Sequence, residues 1–230
     1  KNMSIENSDM SYAFSNCTSL SSIVIPDSVT SIGNGAFTYT SLSSIVIPDS
    51  VSRIGDDAFA RCSSLSCIVI PDSVSSIGNG AFYDCCSLEY IFIPKSVICL
   101  KGNPFYGWNG KLECFSQNFM YECDILFNKD KSRIVSFRNQ KQTSYVIPNS
   151  VTSIGDGAFF ACNSLAEVVI PNSVVYINGN PFYAWLGKLE CLSPSFVYEN
   201  NILFNKDKSR IISFRNQKQT SYVIPNSVTS

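Results

Sequence analysis

Residues 41–62 read SLSSIVIPDSVSRIGDDAFARC, and this stretch decides the fold because close copies of it recur along the chain. Each copy contains an Ile-Pro dipeptide, whose prolines are Pro26, Pro48, Pro71, Pro94, Pro148, Pro171 and Pro225. The intervals between them are 22, 23, 23, 54, 23 and 54 residues. A fixed period of this length is the signature of stacked supersecondary units, which bury their apolar faces only by packing on their neighbours.

Each position of the unit has a physical interpretation. Ile45 and Ile47 lie two residues apart and share the inward face of a short strand, whereas Val46 points outward. The apolar positions that turn back into the coil are Val51, Ile54, Ala58 and Phe59. We therefore predict a β-rich solenoid in which Ile23, Ile45 and Ile68 lie above one another on adjacent parallel strands.

The two 54-residue intervals contain a variant coil. Each carries two apolar runs around a polar stretch, at residues 125–137 and 202–214. This arrangement is typical of a β-hairpin, so we predict two hairpins inserted in the solenoid. The block from Asp124 to Ser153 returns 77 residues later as Asn201 to Ser230. Only Asp124/Asn201 and Val135/Ile212 differ, which indicates duplication of a three-coil block.

The whole chain, residues 1–230, is predicted to form a single solenoid domain. The expected coils lie near residues 1–26, 27–48, 49–71, 72–94, 95–118, 149–171 and 172–195, and hairpin-bearing coils lie at 119–148 and 196–225. A solenoid normally needs a polar cap at each end, and none is visible in the sequence. We therefore expect the sequence to be a fragment of a longer polypeptide.

The repeat pattern resembles a known family. Leu20-x-x-Ile23-x-Ile25-Pro26, followed by residues 28–33 (SVTSIG) and Ala36-Phe37, is similar to the leucine-rich repeats of the BspA type and to the related treponemal repeat. The hairpin segment 125–131, ILFNKDK, resembles insertions in that family. The resemblance implies a right-handed leucine-rich-repeat superhelix without shared catalytic residues. It also implies a cell-surface or secreted protein that acts in adhesion to host proteins and in co-aggregation.

Composition narrows the classes of function. The chain has 230 residues, a net charge of −1 and no histidine, so it lacks the commonest general base and metal ligand. No catalytic motif is visible, and we expect neither an enzyme nor a bound cofactor or metal. The pI near 5.5 does not fit a dedicated nucleic-acid binder. No apolar run approaches the roughly 18 residues of a membrane-spanning helix. The expected partners are proteins, such as host matrix or surface proteins, with glycans as an alternative.

The outward side of the strands is the main candidate site. One predicted outward column consists of Ser22, Ser44, Cys67, Tyr90, Cys114, Ser144, Glu167, Cys191 and Ser221. The other consists of Val24, Val46, Val69, Phe92, Ser116, Val146, Val169, Ser193 and Val223. Exposed apolar surface and aromatic anchors mark interfaces, so we assign partner binding to Val46, Val69, Tyr90, Phe92, Glu167 and Val169. The alternative is that branched residues simply suit strands.

Two other groups of residues have competing interpretations. The hairpins carry a basic surface made of Lys129, Lys131, Arg133, Lys206, Lys208 and Arg210. These cations could meet an acidic partner, or they could protect exposed β edges against aggregation. Trp108 and Trp185 could stack on a sugar ring, which with the basic hairpins would give a carbohydrate-binding module. We favour packing for both tryptophans.

Four of the ten cysteines share one column of the repeat. They are Cys17, Cys62, Cys85 and Cys162, and Thr40 takes their place in the second coil. A small apolar thiol suits a stacked core position, so we interpret the column as packed free thiols. The alternatives are a disulfide between stacked neighbours such as Cys62 and Cys85, and a metal site, although the chain has no Cys-x-x-Cys pair.

Overall fold

The structure is a computed structural model that describes residues 10–215 and 220–230. These residues form short β-strands joined by turns, and no helix occurs among them. The chain divides into two compact units, Lys1–Tyr121 and Glu122–Ser230. The prediction of a single domain with the coil boundaries given above stays a prediction.

The strands of the first unit are short and regularly spaced. In chain order they are β1 (Ser31–Ile32), β2 (Ser44–Val46), β3 (Arg53–Ile54), β4 (Cys67–Val69), β5 (Ser76–Ile77), β6 (Tyr90–Ile93), β7 (Cys99–Leu100), β8 (Lys111–Cys114) and β9 (Phe119–Glu122), whose last residue belongs to the second unit. The first eight alternate between two rows. The first row is the four-stranded parallel sheet β1-β3-β5-β7, and the second contains the parallel pairs β2-β4 and β6-β8.

The register of these pairs places equivalent residues above one another, as the repeat predicts. Ile45 pairs with Ile68, and Val46 pairs with Val69. Ile45 and Ile68 are each 5% exposed, whereas Val46 is 81% and Val69 is 69% exposed. The predicted alternation of inward and outward side chains is therefore confirmed for these strands.

Two features of the first unit differ from the sequence prediction. Ile23 is half-buried and does not lie in a strand, so the predicted column begins at Ile45. The row β1-β3-β5-β7 was not predicted either, because we interpreted Ile54 only as a residue that returns the chain to the core. Ile32, Ile54 and Ile77 pair in register there.

A column of phenylalanine rings runs through the core of the first unit. Its members are Phe14, Phe37, Phe59, Phe82 and Phe105. Neighbouring ring centroids are 5.4, 5.4, 5.8 and 6.0 Å apart, and their planes differ by at most 10°. Each coil contributes one ring, because an Ala-Phe dipeptide recurs in four of these repeats and Pro104-Phe105 takes its place in the fifth. Stacking of offset rings adds to the gain from burying their area.

A ladder of Asn and Asp side chains ties neighbouring coils together at one turn. The Asn34 side-chain oxygen accepts a hydrogen bond from the Asp56 backbone N–H at 2.8 Å. Asp56 and Asn79 accept bonds from the N–H groups of Asn79 and Asn103, both at 2.9 Å. Turn N–H groups need such partners when they are removed from water. The ladder therefore fixes the register between coils as well as satisfying the turns.

The second unit combines the same stacking with antiparallel hairpins. Its strands are β10 (Ile125–Asn128), β11 (Arg133–Phe137), β12 (Ser144–Val146), β13 (Ser153–Ile154), β14 (Glu167–Ile170), β15 (Tyr176–Ile177), β16 (Lys188–Cys191), β17 (Phe196–Glu199), β18 (Ile202–Asn205) and β19 (Ile211–Phe214). Strands β12-β14-β16 and β11-β13-β15 are parallel. Pairs β10-β11 and β18-β19 are antiparallel.

The predicted fold class, a β-rich solenoid with parallel strands and two inserted hairpins, is confirmed by these pairings. The sequence prediction also missed β17, which pairs with β18 and extends the second hairpin to three strands. Its sequence, Phe-Val-Tyr-Glu, lacks a strict alternation of apolar and polar residues. A pattern of this kind gives no clear strand signal.

Candidate functional site

The outward side of β2, β4, β6 and β8, here called the outer face, carries the main candidate site. Tyr90 and Phe92 are each 47% exposed on β6, beside the exposed Val46 and Val69. Ile91 lies between the two aromatics and is buried, so the strand itself directs both rings outward. The predicted residues Val46, Val69, Tyr90 and Phe92 thus share one exposed apolar surface.

Three aromatic rings stand nearly parallel on the outer face. The Tyr90 and Phe92 centroids are 6.2 Å apart, and those of Phe92 and Phe115 are 6.3 Å apart. Lys111 places its ammonium 5.4 Å from the Tyr90 centroid and 2.7 Å from a Glu113 carboxylate oxygen. The cation is therefore neutralised, and the patch is apolar and aromatic. Phe115 is exposed and was missed by the sequence analysis.

The predicted outward columns are wrong at the strands that begin with Lys-Leu-Glu. Tyr90 pairs with Lys111 and Phe92 with Glu113, so Cys114 and Ser116 do not continue the columns. Ser116 is buried and donates a hydrogen bond to the Val97 carbonyl at 2.6 Å. This coil reaches its strand earlier than the regular repeat does. Matching Lys111-Leu112-Glu113 to Ser87-Leu88-Glu89 by sequence sets Cys114 opposite Tyr90 and therefore misplaces the register.

The same correction applies to Cys191 and Ser193 in the second unit. Glu167 pairs with Lys188, and Val169 pairs with Glu190. Ser193 is buried and donates to the Val174 carbonyl at 2.6 Å.

The second unit carries a less apolar counterpart of the outer face. The predicted residues Glu167 and Val169 lie on β14, and both are half-buried. Glu167 forms an ion pair with Lys188 at 2.6 Å. In the 77-residue repeat, Glu167 and Val169 correspond to Tyr90 and Phe92. The duplication thus places an ion pair and a small side chain where the first unit presents two aromatics.

The hairpin cations do not form one free basic surface. Lys131 and Lys208 form ion pairs with Glu122 and Glu199, at 2.6 and 2.7 Å. Arg210 donates to the Ile177 carbonyl at 2.9 Å, and Arg133 is half-buried. Lys129 and Lys206 are exposed, one on each hairpin. The ion pairs favour the interpretation that these cations stabilise and protect the hairpins.

The hypothesis that Trp108 and Trp185 stack on a sugar is wrong. Trp108 is 3% and Trp185 is 2% exposed. Their indole N–H groups donate to the Leu88 and Leu165 carbonyls, both at 2.6 Å. Rings enclosed in this way offer no face to a ligand. Packing, the interpretation favoured for these residues, is confirmed.

The cysteine column is largely a row of packed thiols. Cys62, Cys85 and Cys162 are buried, and their thiols donate to backbone carbonyls of the preceding coil at 3.0, 3.0 and 3.5 Å. Thr40 takes the same position in its coil, but its hydroxyl donates to the Phe37 carbonyl of that same coil at 2.9 Å. Cys17 is exposed, so its predicted burial is wrong. All ten cysteines are free thiols, and no cluster of possible metal ligands occurs in residues 10–215 and 220–230.

Alkylation should separate the buried thiols from the exposed ones. Burial raises the pKa of Cys62 and Cys85, and it raises that of Cys162 to about 12. Since the thiolate is the reactive form, iodoacetamide at mildly alkaline pH should modify Cys67 and Cys99 while these three stay intact. Peptide mass spectrometry of native and urea-unfolded protein would measure this.

The same pKa shifts have a consequence for stability. The folded state holds these protons more tightly than the unfolded state does, so stability should fall as the pH rises above the ordinary thiol pKa. In the alkylation experiment, rapid labelling of Cys62 or Cys85 in the native protein would contradict the assignment of these thiols to the core.

These features define a leucine-rich-repeat solenoid: the coils have near-equal length, each contributes one phenylalanine, and one row of strands has an exposed outer face. The family model of the BspA type leucine rich repeat region matches residues 7–123 and 133–230 in six copies. The chain belongs to this family, whose repeats serve protein interaction or surface roles and are generally non-catalytic.

Several solved structures are similar to the chain. A leucine rich cell surface protein from Faecalibacterium prausnitzii shares 28% identity with a TM-score of 0.59, over 78% of this chain and 57% of that one. A leucine-rich repeat protein from Bacteroides ovatus shares 29% identity with a TM-score of 0.51, over 78% and 45%. One from Eubacterium ventriosum, at 23% identity, a TM-score of 0.57 and coverage of 75% and 60%, supports the fold alone.

The chain spans 45 to 60% of the length of these relatives. No curated protein matches it significantly. Within residues 10–215 and 220–230, the structure contains no helix with the length and apolar character needed to cross a bilayer.

Proposed function

We propose that the chain is a non-catalytic adhesion or scaffold segment, displayed at a cell surface or secreted, that binds a protein partner through its outer face. The observation that carries the proposal is the row of exposed apolar side chains Val46, Val69, Tyr90 and Phe92. Contiguous exposed apolar surface is rare in soluble proteins unless it serves an interaction. The likeness to a bacterial protein described as a cell surface protein supports the location.

A protein is favoured over a glycan as the partner. Tyr90, Phe92 and Phe115 form a neutral aromatic ridge, which suits the apolar anchor of a protein interface. The carbohydrate alternative depended on Trp108 and Trp185, which are buried. Glu167 and Val169 are proposed as weaker contributors, since Glu167 is already held by Lys188. Host matrix or surface proteins are the proposed class of partner.

Biolayer interferometry of the binding of the chain to immobilised basement-membrane extract would test this proposal. The affinity of the double variant Tyr90→Ser/Phe92→Ser should fall at least about tenfold, because two interface anchors are removed. Nearly half of each side chain is exposed, so the variant should remain folded and its unfolding midpoint should change far less than its affinity.

The double variant Glu167→Ser/Val169→Ser is the matched control from the duplicated block, and its affinity should change by less than about threefold. The proposal fails if the native chain shows no saturable binding. It also fails if Tyr90→Ser/Phe92→Ser binds as tightly as the native chain.

A further inference from the structure

A cavity of about 400 Å³ lies in the second unit, next to the start of β16. Its polar lining comes from Gly187, Lys188, Tyr198, Asn201 and Arg215. The two residues from the second hairpin, Asn201 and Arg215, are joined by a hydrogen bond from the Arg215 backbone N–H to the Asn201 carbonyl at 2.9 Å. The fold of the hairpin thus brings both residues to the lining of one small concavity.

Arg215 is a half-buried cation whose partners are all neutral. Its guanidinium carbon lies 4.3 Å from the centroid of the Trp185 ring. One terminal nitrogen donates to the Gly187 carbonyl, and the other to the Tyr198 hydroxyl at 3.4 Å. No carboxylate within the described part of the chain forms an ion pair with it. Burial lowers the pKa of Arg215, and a cation without a counter-ion at a concave site is a typical candidate for ligand binding.

Asn201 removes a negative charge from this position. The Tyr198 hydroxyl donates to the Asn201 side-chain oxygen at 3.1 Å, so the amide nitrogen is the remaining polar group of that side chain. In the earlier copy of the block the same position is Asp124, and it is one of two differences between the copies. A carboxylate only accepts hydrogen bonds, whereas an amide also donates two. The exchange replaces a built-in anion with a donor next to Arg215.

The rim of the cavity adds little net charge. Lys188 is bound to Glu167 at 2.6 Å and is therefore neutralised. Arg215 is thus the cation that defines the electrostatics of the cavity. The volume falls in the lower part of the range for small-molecule sites, roughly 300–1,000 Å³, so a ligand of monosaccharide or amino-acid size fits better than an extended chain.

We propose that this cavity binds the carboxylate of a small organic acid, held by the guanidinium fork of Arg215 with the Asn201 amide as a second donor. Each terminal nitrogen of Arg215 retains an N–H beyond the one used within the protein, and two such donors match the two oxygens of a carboxylate. Residues that line the cavity outside this pair orient the rest of the ligand. The acid group can be carried by an acidic sugar or by an acidic amino acid.

NMR titration of isotope-labelled protein with glucuronate and with N-acetylglutamate would test the site. Either acid should shift the Arg215 Nε–H and Trp185 indole resonances in a saturable manner, and the acid that binds more tightly identifies the source of the carboxylate. The neutral methyl ester of glucuronate should bind at least about tenfold more weakly, because it lacks the anion. If neither acid shifts these resonances, the proposal is overturned.

Two variants test whether the charge inside the cavity determines carboxylate binding. Asn201→Asp restores the residue found in the earlier copy, so the fold should persist while carboxylate affinity falls about tenfold or more. Lys206→Gln removes an exposed cation of the same hairpin and should leave affinity unchanged. Equal affinity of Asn201→Asp and the native chain, or an equal loss in Lys206→Gln, would overturn the proposal.

Discussion

Replacement of Phe59 by alanine is expected to lower the free energy of unfolding by about 3–5 kcal/mol. The Phe59 ring is fully buried and stacks between Phe37 and Phe82, with centroids 5.4 and 5.8 Å away. Alanine loses the transfer free energy of the ring and leaves a void. The coils on both sides are held in register by backbone and side-chain hydrogen bonds, so they cannot close that void.

Urea unfolding followed by circular dichroism would measure this change. Phe92→Ala is the matched control, because it removes the same ring from the outer face, where nearly half of it is exposed. It should cost less than about 1 kcal/mol. Similar losses in the two variants would mean that the phenylalanine column does not form the core.

Ile68→Asp is expected to have an effect of comparable size or larger, roughly 4 kcal/mol or more. Ile68 faces inward on β4 and pairs with Ile45. An aspartate there would be buried among aliphatic side chains with no donor to satisfy it. Since total stabilities are commonly about 5–15 kcal/mol, a substantial fraction of the variant should be unfolded or aggregated.

Val69→Asp, one residue further along the same strand, should be tolerated within about 1 kcal/mol. Its side chain points into solvent on the outer face. Midpoints of thermal unfolding, recorded side by side, provide the comparison. If Val69→Asp proved as damaging as Ile68→Asp, the assignment of the two faces of β4 would be wrong.

The strands β2, β4 and β6 could be predicted from the sequence because the period fixes which aliphatic positions recur. The row β1-β3-β5-β7 could not, because two-residue strands carry too little alternation to be recognised. The predicted register of β8 was wrong for a different reason. The coil between Tyr90 and Lys111 is shorter than its neighbours, and only the pairing of strands reveals this.

The candidate sites show a similar division. The exposure of Tyr90 and Phe92 follows from strand alternation, so the sequence is sufficient to predict it. The burial of Trp108 does not follow from strand alternation, because it depends on the hydrogen bond from the indole N–H to the Leu88 carbonyl, twenty residues away. The cavity at Arg215 was also beyond sequence analysis. Its lining comes from residues that are far apart in the sequence and meet only in the folded hairpin. The difference between Asp124 and Asn201 is visible in the sequence, but the sequence does not show that Asn201 lies at a cavity.

Both the fold and the proposed binding surface depend on stacking of coils of near-equal length, and NOEs between labelled isoleucine and valine methyl groups would detect this stacking directly. The stacked core predicts NOEs that connect Ile32 to Ile54, Ile54 to Ile77, and Ile45 to Ile68, since these residues pair in register on adjacent parallel strands. A separate contact should connect Val46 to Val69 on the outer face. Absence of these contacts, or an NOE network that joins Ile45 to Val69 instead, would contradict both the stacked core and the outward orientation of the proposed binding surface.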